Sequence, residues 1–225
     1  MEAIQGDEES LTEPPETPPL YRGLDFAYRV YEPAHEARQA LVLLHGSGVD
    51  ETVLVPLARE IAPSARLMAV RGRVVQGGSR RWFTRITPTA FDQESIREEA
   101  RAFVRFLPRL AKREGFDLGA AVFLGYSNGA NLASSVMLLH PGLIGRAALL
   151  RAMPVLDCVP AADLAKTPVL VVAAREDVTY GPYAPALASL LERHGAAVES
   201  RVVPAGHEFG EHDAELVRAW LEKAA

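Results

Sequence analysis

The sequence is poor in cysteine and has no long apolar run. Cys158 is the only cysteine among the 225 residues, so an intramolecular disulfide is excluded, and we interpret this residue as a packing side chain. Such cysteine usage fits a reducing compartment, and we expect a cytoplasmic location. No apolar stretch reaches the length of a membrane span. The N-terminus lacks the basic and apolar pattern of a secretory signal, so we expect none there.

Basic residues are not in excess either. The chain has 24 Lys and Arg against 29 Asp and Glu, which gives a formal net charge of −5 at pH 7. Proteins that bind nucleic acid usually present a basic face, so we do not expect a nucleic acid as a partner. His, Asp and Cys do not cluster at the spacings of metal ligands. We therefore predict no metal and no cofactor.

An acidic, proline-rich extension precedes the rest of the chain. Residues 1–20 contain two Pro-Pro pairs among acidic side chains and have little apolar content. Such a segment buries too little apolar surface to order itself. We therefore divide the chain into an N-terminal extension, residues 1–20, and one domain, residues 21–225, which is long enough for a substantial core.

Strand and helix patterns alternate along that domain. Short apolar runs predict buried strands, and longer amphipathic or small-residue segments predict helices. The predicted strands cover residues 24–31, 41–44, 67–70, 120–124, 146–150, 167–174 and 197–203, and the predicted helices cover residues 51–61, 91–114, 130–139, 184–193 and 212–223. This alternation favours an α/β fold, with a mostly parallel central sheet and helices on both faces. The first strand is expected to be antiparallel.

Several residues are expected to begin, end or bend these helices. Asp50 and Asp92 are suited to N-cap the helices that follow them, because a carboxylate there accepts from free backbone N–H groups. Gly115 is expected to end the helix over residues 91–114. Pro108 lies inside that helix and should kink or split it.

Residues 125–129 read Gly-Tyr-Ser-Asn-Gly and fit the Gly-x-Ser-x-Gly pattern of a nucleophile elbow. In such an elbow the serine lies on a strained strand-to-helix turn, and the glycines leave room for the neighbouring backbone. A predicted strand precedes the motif and a predicted helix of small residues follows it. This context favours Ser127 as a nucleophile. The alternative is that Ser127 is only a polar residue in a turn.

A serine nucleophile needs a general base within hydrogen-bond reach. In the α/β-hydrolase order of serine, acid and histidine, the base comes last. The histidines after Ser127 are His140, His194, His207 and His212. His207 lies in a glycine-flanked loop after a predicted strand, and we predict that it is the base. The other three lie at or near predicted helix ends, where a structural or solvated role is expected.

The base needs an acid that orients it. Residues 167–174 predict a buried parallel strand, and Arg-Glu-Asp follows at its carboxyl end. Active-site residues of open α/β sheets gather at such ends. We predict Asp177 as the acid and keep Glu176 as the alternative. Asp177 could otherwise cap the turn that follows.

Backbone groups are expected to bind the oxyanion. The predicted strand over residues 41–44 is followed by His-Gly-Ser-Gly, which resembles the oxyanion segment of lipases and esterases. We predict that the N–H groups of Ser47 and Asn128 are the two donors. His45 precedes the nucleophile in the chain, so a structural role is expected for it.

Residues 71–89 are the least regular part of the domain, and they contain arginines, glycines and the pair Trp82-Phe83. One interpretation is a substrate wall in which Trp82 or Phe83 contacts the acyl or leaving group. The other is a surface loop that these aromatic side chains anchor. Tyr180, in the loop after Asp177, is a further candidate for substrate contact.

These motifs, in this order, resemble the phospholipase/carboxylesterase family of small serine esterases in the α/β-hydrolase superfamily. The matching segments are residues 43–51, 70–72, 77–78, 81–83, 125–131, 177 and 206–207. The resemblance implies hydrolysis of short- to medium-chain carboxylic esters. Asn128 departs from the acyl-protein thioesterase branch, which usually has Gln there. That difference favours bacterial-type esterases.

Other functions remain open for the same three side chains. A thioesterase, a lysophospholipase or a cofactor-free lyase would use them as well, and a ligand receptor can retain a hydrolase scaffold. We find no cap domain and no long insertion before His207, which predicts an open site. The expected partner is a small-molecule ester, and a homodimer is compatible with the sequence.

Overall fold

A computed structural model describes residues 17–223 of the protein. The strands are β1 (Ala27–Tyr31), β2 (Gln39–Leu44), β3 (Ala65–Arg71), β4 (Val74–Gln76), β5 (Ser79–Arg81), β6 (Val122–Tyr126), β7 (Ala147–Leu150), β8 (Pro168–Ala174) and β9 (Ala197–Val203). The helices are α1 (Val55–Ile61), α2 (Gln93–Glu114), α3 (Asn128–Leu139), α4 (Ala184–Arg193) and α5 (Glu211–Glu222). Every predicted strand and helix is present, with ends shifted by a few residues.

The central sheet has the strand order β1-β3-β2-β6-β7-β8-β9. Its neighbouring strands are parallel except for β1, which pairs antiparallel with β3. Strands β6 and β7 are buried along their whole length, because helices cover both faces of a parallel sheet. The prediction of a mostly parallel sheet with an antiparallel first strand is confirmed. The carboxyl ends of β2, β6, β7, β8 and β9 consequently lie along one edge of the sheet.

The helices divide between the two faces of the sheet. Apolar side chains of α1 and α5 join one buried cluster, together with one set of alternating strand residues. Those of α2, α3 and α4 join a second cluster with the other set. The prediction of helices on both faces is therefore confirmed.

The ends of α2 follow the sequence signals. The Asp92 carboxylate accepts a hydrogen bond from the N–H of Ser95, and Gly115 ends the helix in the left-handed region at φ 68°. Both predictions are confirmed. Pro108, however, does not split the helix, which continues from Gln93 to Glu114. Packing of its apolar face against α3 and the sheet offsets the loss of one backbone hydrogen bond.

The prediction that Asp50 caps a helix over residues 51–61 is wrong. Helix α1 begins only at Val55, and the Asp50 carboxylate accepts from the N–H and hydroxyl of Thr52. Glu51 is buried and forms ion pairs with Arg29 and Arg71. Although burial raises the pKa of Glu51, the hydrogen bonds from Arg71 and Arg29 outweigh it and lower this pKa to about 2. The chain there is fixed by these contacts rather than by a helix.

Residues 71–89 contain a hairpin that the sequence did not reveal. Strands β4 and β5 pair antiparallel, with Val74 opposite Arg81. Three-residue strands of this kind carry too short a pattern for detection. The hairpin lies next to the turn after β2, and a hydrogen bond from the N–H of Gly48 to the carbonyl of Arg80 joins the two.

The remaining predictions concern the N-terminal extension, Cys158, membrane spans and metal sites. The proposed extension, residues 1–20, lies mostly outside the described residues; of residues 17–20, Pro18 accepts a hydrogen bond from the Arg29 guanidinium. Cys158 is exposed, so its interpretation as a packing residue is wrong. No helix within residues 17–223 is long and apolar enough to cross a membrane. The same residues contain no group of three or more His, Cys, Asp and Glu that could hold a metal ion.

Candidate active site

Ser127 occupies a strained turn between β6 and α3. Its backbone has φ 50° and ψ −115°, a combination that residues other than glycine rarely adopt. A Cβ atom on Gly125 would lie 2.6 Å from the Cα of Ala130, and one on Gly129 would collide with the backbone of Leu44. The two glycines therefore permit the tight contact of α3 with β6 and β2. This geometry is that of a nucleophile elbow.

Three predicted side chains meet at the carboxyl edge of the sheet. Ser127 follows β6, Asp177 follows β8, and His207 lies in the loop after β9. The distance from His207 Nε2 to Ser127 Oγ is 3.1 Å, and that from His207 Nδ1 to Asp177 Oδ2 is 2.6 Å. An imidazole protonated at Nδ1 donates to the carboxylate and presents Nε2 as an acceptor to the hydroxyl. The three groups form a continuous hydrogen-bonded chain.

The neighbouring acid, Glu176, is placed differently. Its side chain is exposed, while Asp177 is only 6% exposed. The other carboxylate oxygen of Asp177 accepts from the N–H of Tyr180, which fixes the orientation of the carboxylate. Asp177 thus both caps the turn and contacts His207, so the two interpretations of this residue are not exclusive.

The remaining histidines make other contacts. His140 is the C-cap of α3, and burial together with the charge of Arg101 lowers its pKa. His194 lies at the end of α4, where its ring contacts the carbonyl of Ala162. His212 is exposed beside Glu215.

The two predicted oxyanion donors both line the cavity in front of Ser127. Asn128 is the first residue of α3, where a backbone N–H has no intrahelical acceptor. Among the hydrogen bonds of residues 17–223, neither the N–H of Ser47 nor that of Asn128 has a protein acceptor. Both groups are therefore free to donate to a ligand.

His45 organises the turn that carries Ser47. Its Nε2 accepts from the N–H of Gly72, and its Nδ1 lies 2.6 Å from the carbonyl oxygen of Gly46. Burial lowers the pKa of His45, so the ring is neutral and both of its nitrogens are used within the protein. Its position agrees with the predicted structural role.

The cavity has a volume of about 260 Å³. The residues that line it are Ser47, Val49, Arg85, Pro88, Phe91, Tyr126, Ser127, Asn128, Asn131, Arg151, Tyr180 and His207. Tyr180 is among them, and its ring centroid lies 4.8 Å from that of His207.

The interpretation of Trp82 and Phe83 as a substrate wall is wrong. Both side chains are fully buried, and neither lines the cavity. Trp82 packs against Phe26 and Phe103. Its indole N–H donates to the carbonyl of His45, and its backbone N–H donates to the Asn128 side chain. Trp82 therefore contacts both the turn after β2, which leads to Ser47, and the first residue of α3.

Arg151 is a site residue that the sequence analysis missed. It follows β7 with φ 57°, lines the cavity and forms a buried ion pair with Asp213. Its guanidinium also donates to the carbonyls of Gly206 and Glu208, on either side of His207. Its place at the carboxyl end of a predicted strand was a usable signal.

Comparison with known proteins supports this picture. No family model matches the sequence. The chain is 32% identical over 185 residues to "Putative hydrolase MhqD" of Bacillus subtilis, which covers 82% of this chain and 92% of that protein. Among solved structures, a carboxylesterase from Mesorhizobium loti is 57% identical with a TM-score of 0.89, covering 92% of this chain and 99% of the other.

A carboxylesterase from Bacillus cereus is 30% identical with a TM-score of 0.84, covering 89% of this chain and 95% of the other. These similarities cover between 82% and 92% of this chain. The chain therefore belongs to the phospholipase/carboxylesterase family and has the α/β-hydrolase fold of that family.

Proposed function

We propose that this ester-hydrolysing enzyme is a serine carboxylesterase that cleaves short- to medium-chain carboxylic esters. The observation that carries the proposal is the hydrogen-bonded chain from Ser127 through His207 to Asp177, which opens into a cavity. The similarity to two carboxylesterases supports the same activity. The substrate in this proposal is a small-molecule ester, and the reaction passes through an acyl-enzyme.

In the first step His207 acts as the general base. Its Nε2 accepts the proton of Ser127 as Oγ attacks the ester carbonyl. Asp177 keeps the other ring nitrogen protonated and stabilises the imidazolium that forms. Because Asp177 is buried and also held by the N–H of Tyr180, it orients the ring without reorganisation.

Attack converts the carbonyl oxygen into an oxyanion. The free N–H groups of Ser47 and Asn128 would donate to it, and the N-terminus of α3 adds a favourable dipole. Collapse of this tetrahedral intermediate breaks the bond to the alcohol, which takes the proton from His207. Water then attacks the acyl-enzyme by the same route and releases the carboxylic acid.

The size of the cavity supports small substrates. A volume of about 260 Å³ falls below the usual range for drug-sized ligands. Val49, Pro88, Phe91 and Tyr180 are among the residues that line the cavity. We therefore expect preference for acyl chains of about two to eight carbons, with a gradual decline beyond, because each methylene contact changes the rate only modestly.

A panel of p-nitrophenyl esters with two to sixteen acyl carbons tests this proposal. Rapid multiple turnover with the highest kcat/KM on short or medium chains is expected. Turnover below one equivalent per enzyme on all of them, with tight binding, would instead indicate a receptor. An optimum at sixteen carbons would contradict the size preference but not the esterase chemistry.

A further inference from the structure

Two arginines lie in or beside the cavity wall: Arg85 lines the cavity, and Arg81 contacts Ser47, which lines it. Arg85 lines the cavity and is half-buried. Arg81 is 7% exposed, and its guanidinium donates to Ser47 Oγ at 2.8 Å. Because the N–H of Ser47 is a proposed oxyanion donor, this guanidinium would lie near the ester carbonyl of a bound substrate.

Neither arginine has an acidic partner in the described part of the chain. None of the ion pairs among residues 17–223 includes Arg81 or Arg85. Arg81 Nε is also buried without a hydrogen-bond acceptor. By contrast, Arg151 lines the same cavity but is neutralised by Asp213.

The cavity lining contains no acidic residue from the described chain. Asp177, the carboxylate that serves the site, contacts His207 and the N–H of Tyr180 instead. The positive charge of Arg85 therefore faces the cavity and that of Arg81 lies beside Ser47, and no acidic residue of the lining compensates them.

A buried guanidinium without a partner is unfavourable, because it has lost water and gained no counter-charge. Burial lowers the pKa of Arg81, and the positive charge of Arg85 lowers it further. A substrate carboxylate in the cavity, at Arg85 and next to Ser47, would supply the missing counter-charge, and a guanidinium group can bind a carboxylate through two parallel hydrogen bonds.

We infer that Arg81 and Arg85 form a carboxylate subsite, so that the preferred substrates are esters that carry a second, anionic carboxylate group. This inference rests on the proposed esterase function and deepens it. The carboxylate belongs either to the acyl part, as in a half-ester of a dicarboxylic acid, or to the alcohol part, as in an acylated hydroxy acid. Both present the same group to the same two side chains.

The test compares esters that differ only at the end that would meet the arginines. For the acyl side, the pair is p-nitrophenyl hydrogen glutarate and p-nitrophenyl valerate. For the alcohol side, the pair is butyryloxyacetate and ethyl butyrate, followed by pH-stat titration. We expect kcat/KM at low salt to be at least about tenfold higher for the anionic member of one pair, since hydrogen bonds to charged groups discriminate by this factor or more. The pair that shows the preference identifies the side.

Substitution assigns the preference to these residues. Arg85→Gln should reduce the ratio of anionic to neutral kcat/KM about tenfold, and Arg85→Lys should restore part of it. Arg81→Gln should reduce the ratio too, even where displacement of Ser47 slows both esters. The control is Arg109→Gln, an exposed arginine of α2 that is remote from the lining, which should leave the ratio unchanged.

Ratios near one for both pairs in the wild type, with rapid turnover of the neutral esters, would overturn the carboxylate subsite and leave the esterase function intact. A wild-type preference that Arg85→Gln and Arg81→Gln do not reduce would overturn it as well. Absence of turnover with every ester would overturn the proposed function itself.

Discussion

Arg151 and Asp213 form a buried, two-point ion pair, with guanidinium-to-carboxylate distances of 2.7 and 2.9 Å. The same guanidinium donates to the carbonyls of Gly206 and Glu208. Asp213 in turn accepts from the N–H of Gly210 at the start of α5. The pair therefore connects β7 to the loop that holds His207 beside Ser127.

Removing one member of this pair should be costly. Arg151→Met leaves the Asp213 carboxylate buried without its counter-charge, and we expect the free energy of unfolding to fall by about 3–5 kcal/mol. In the folded variant kcat should fall, with a smaller change in KM, because the loop that holds His207 loses its hydrogen bonds from the guanidinium. Urea unfolding and steady-state kinetics measure the two effects.

The control for Arg151→Met is Arg218→Met. Arg218 pairs with Glu60 at the surface, and such pairs contribute only about 0–1 kcal/mol. Equal losses in the two variants would show that the buried pair does not stabilise the loop beyond an ordinary surface contact.

Ser127→Ala should lower kcat by at least about 10⁴-fold without loss of structure, because the covalent step is removed. A fluorophosphonate probe should label the wild-type protein at Ser127 and leave the variant unlabelled. Ser134→Ala is the matched control, since Ser134 lies on α3, the helix that follows Ser127, and its hydroxyl donates to the carbonyl of Asn131. Labelling that persists in Ser127→Ala would assign the nucleophile elsewhere.

Asp177→Asn should lower kcat by about 10⁴-fold, because an amide favours the wrong imidazole tautomer of His207. Glu176→Gln changes the adjacent, exposed carboxylate and should leave the rate nearly unchanged. Steady-state kinetics on one p-nitrophenyl ester compares the two variants. The reverse ranking would transfer the role to Glu176.

The sequence predicted those parts of the site whose pattern lies within a few consecutive residues. The elbow around Ser127 and the glycine-flanked loop of His207 follow strands with continuous apolar runs, and each carries its signal within a few residues. The order of strands along the chain then brings their carboxyl ends together. Asp177 could be placed for the same reason.

The parts that the sequence did not reveal depend on distant contacts. Arg151 acquires its role from Asp213, 62 positions along the chain. Asp50 does not cap a helix because Glu51 is held by Arg29 and Arg71. Aromatic residues suit a pocket wall and a core equally well, and only tertiary packing decides between them.

His45 should make stability depend on pH. Burial lowers its pKa below the ordinary value of 6.5, so below about pH 6.5 the unfolded chain binds a proton that the folded protein does not. The free energy of unfolding should therefore decrease as the pH falls from about 7 to 5. Protonation would also break the hydrogen bond from Gly72.

His45→Gln isolates this effect, because glutamine can accept from Gly72 and donate to Gly46 but does not titrate. The wild-type stability relative to this variant should decline toward acid pH in urea unfolding. The exposed His35, changed to Gln, should leave the pH profile as it is. A wild-type advantage that is constant between about pH 5 and 7 would contradict the assignment.

Trp82 and Tyr180 should respond differently to truncation, because one is in the core and the other lines the cavity. Trp82→Ala removes a fully buried indole and should lower the free energy of unfolding by about 3–5 kcal/mol. Trp82→Phe keeps most of the ring but loses the N–H donated to His45, so a smaller loss is expected.

Tyr180→Ala should cost less stability and instead shift the preferred acyl chain to longer esters, because it enlarges the cavity beside His207. The ester panel, measured on each folded variant relative to its own maximum, separates the two effects. Trp82→Phe should keep the wild-type chain-length optimum even where kcat declines, since the ring does not touch the acyl group. A shift toward longer chains in Trp82→Phe, with none in Tyr180→Ala, would show that Trp82 contacts the acyl chain and that Tyr180 does not.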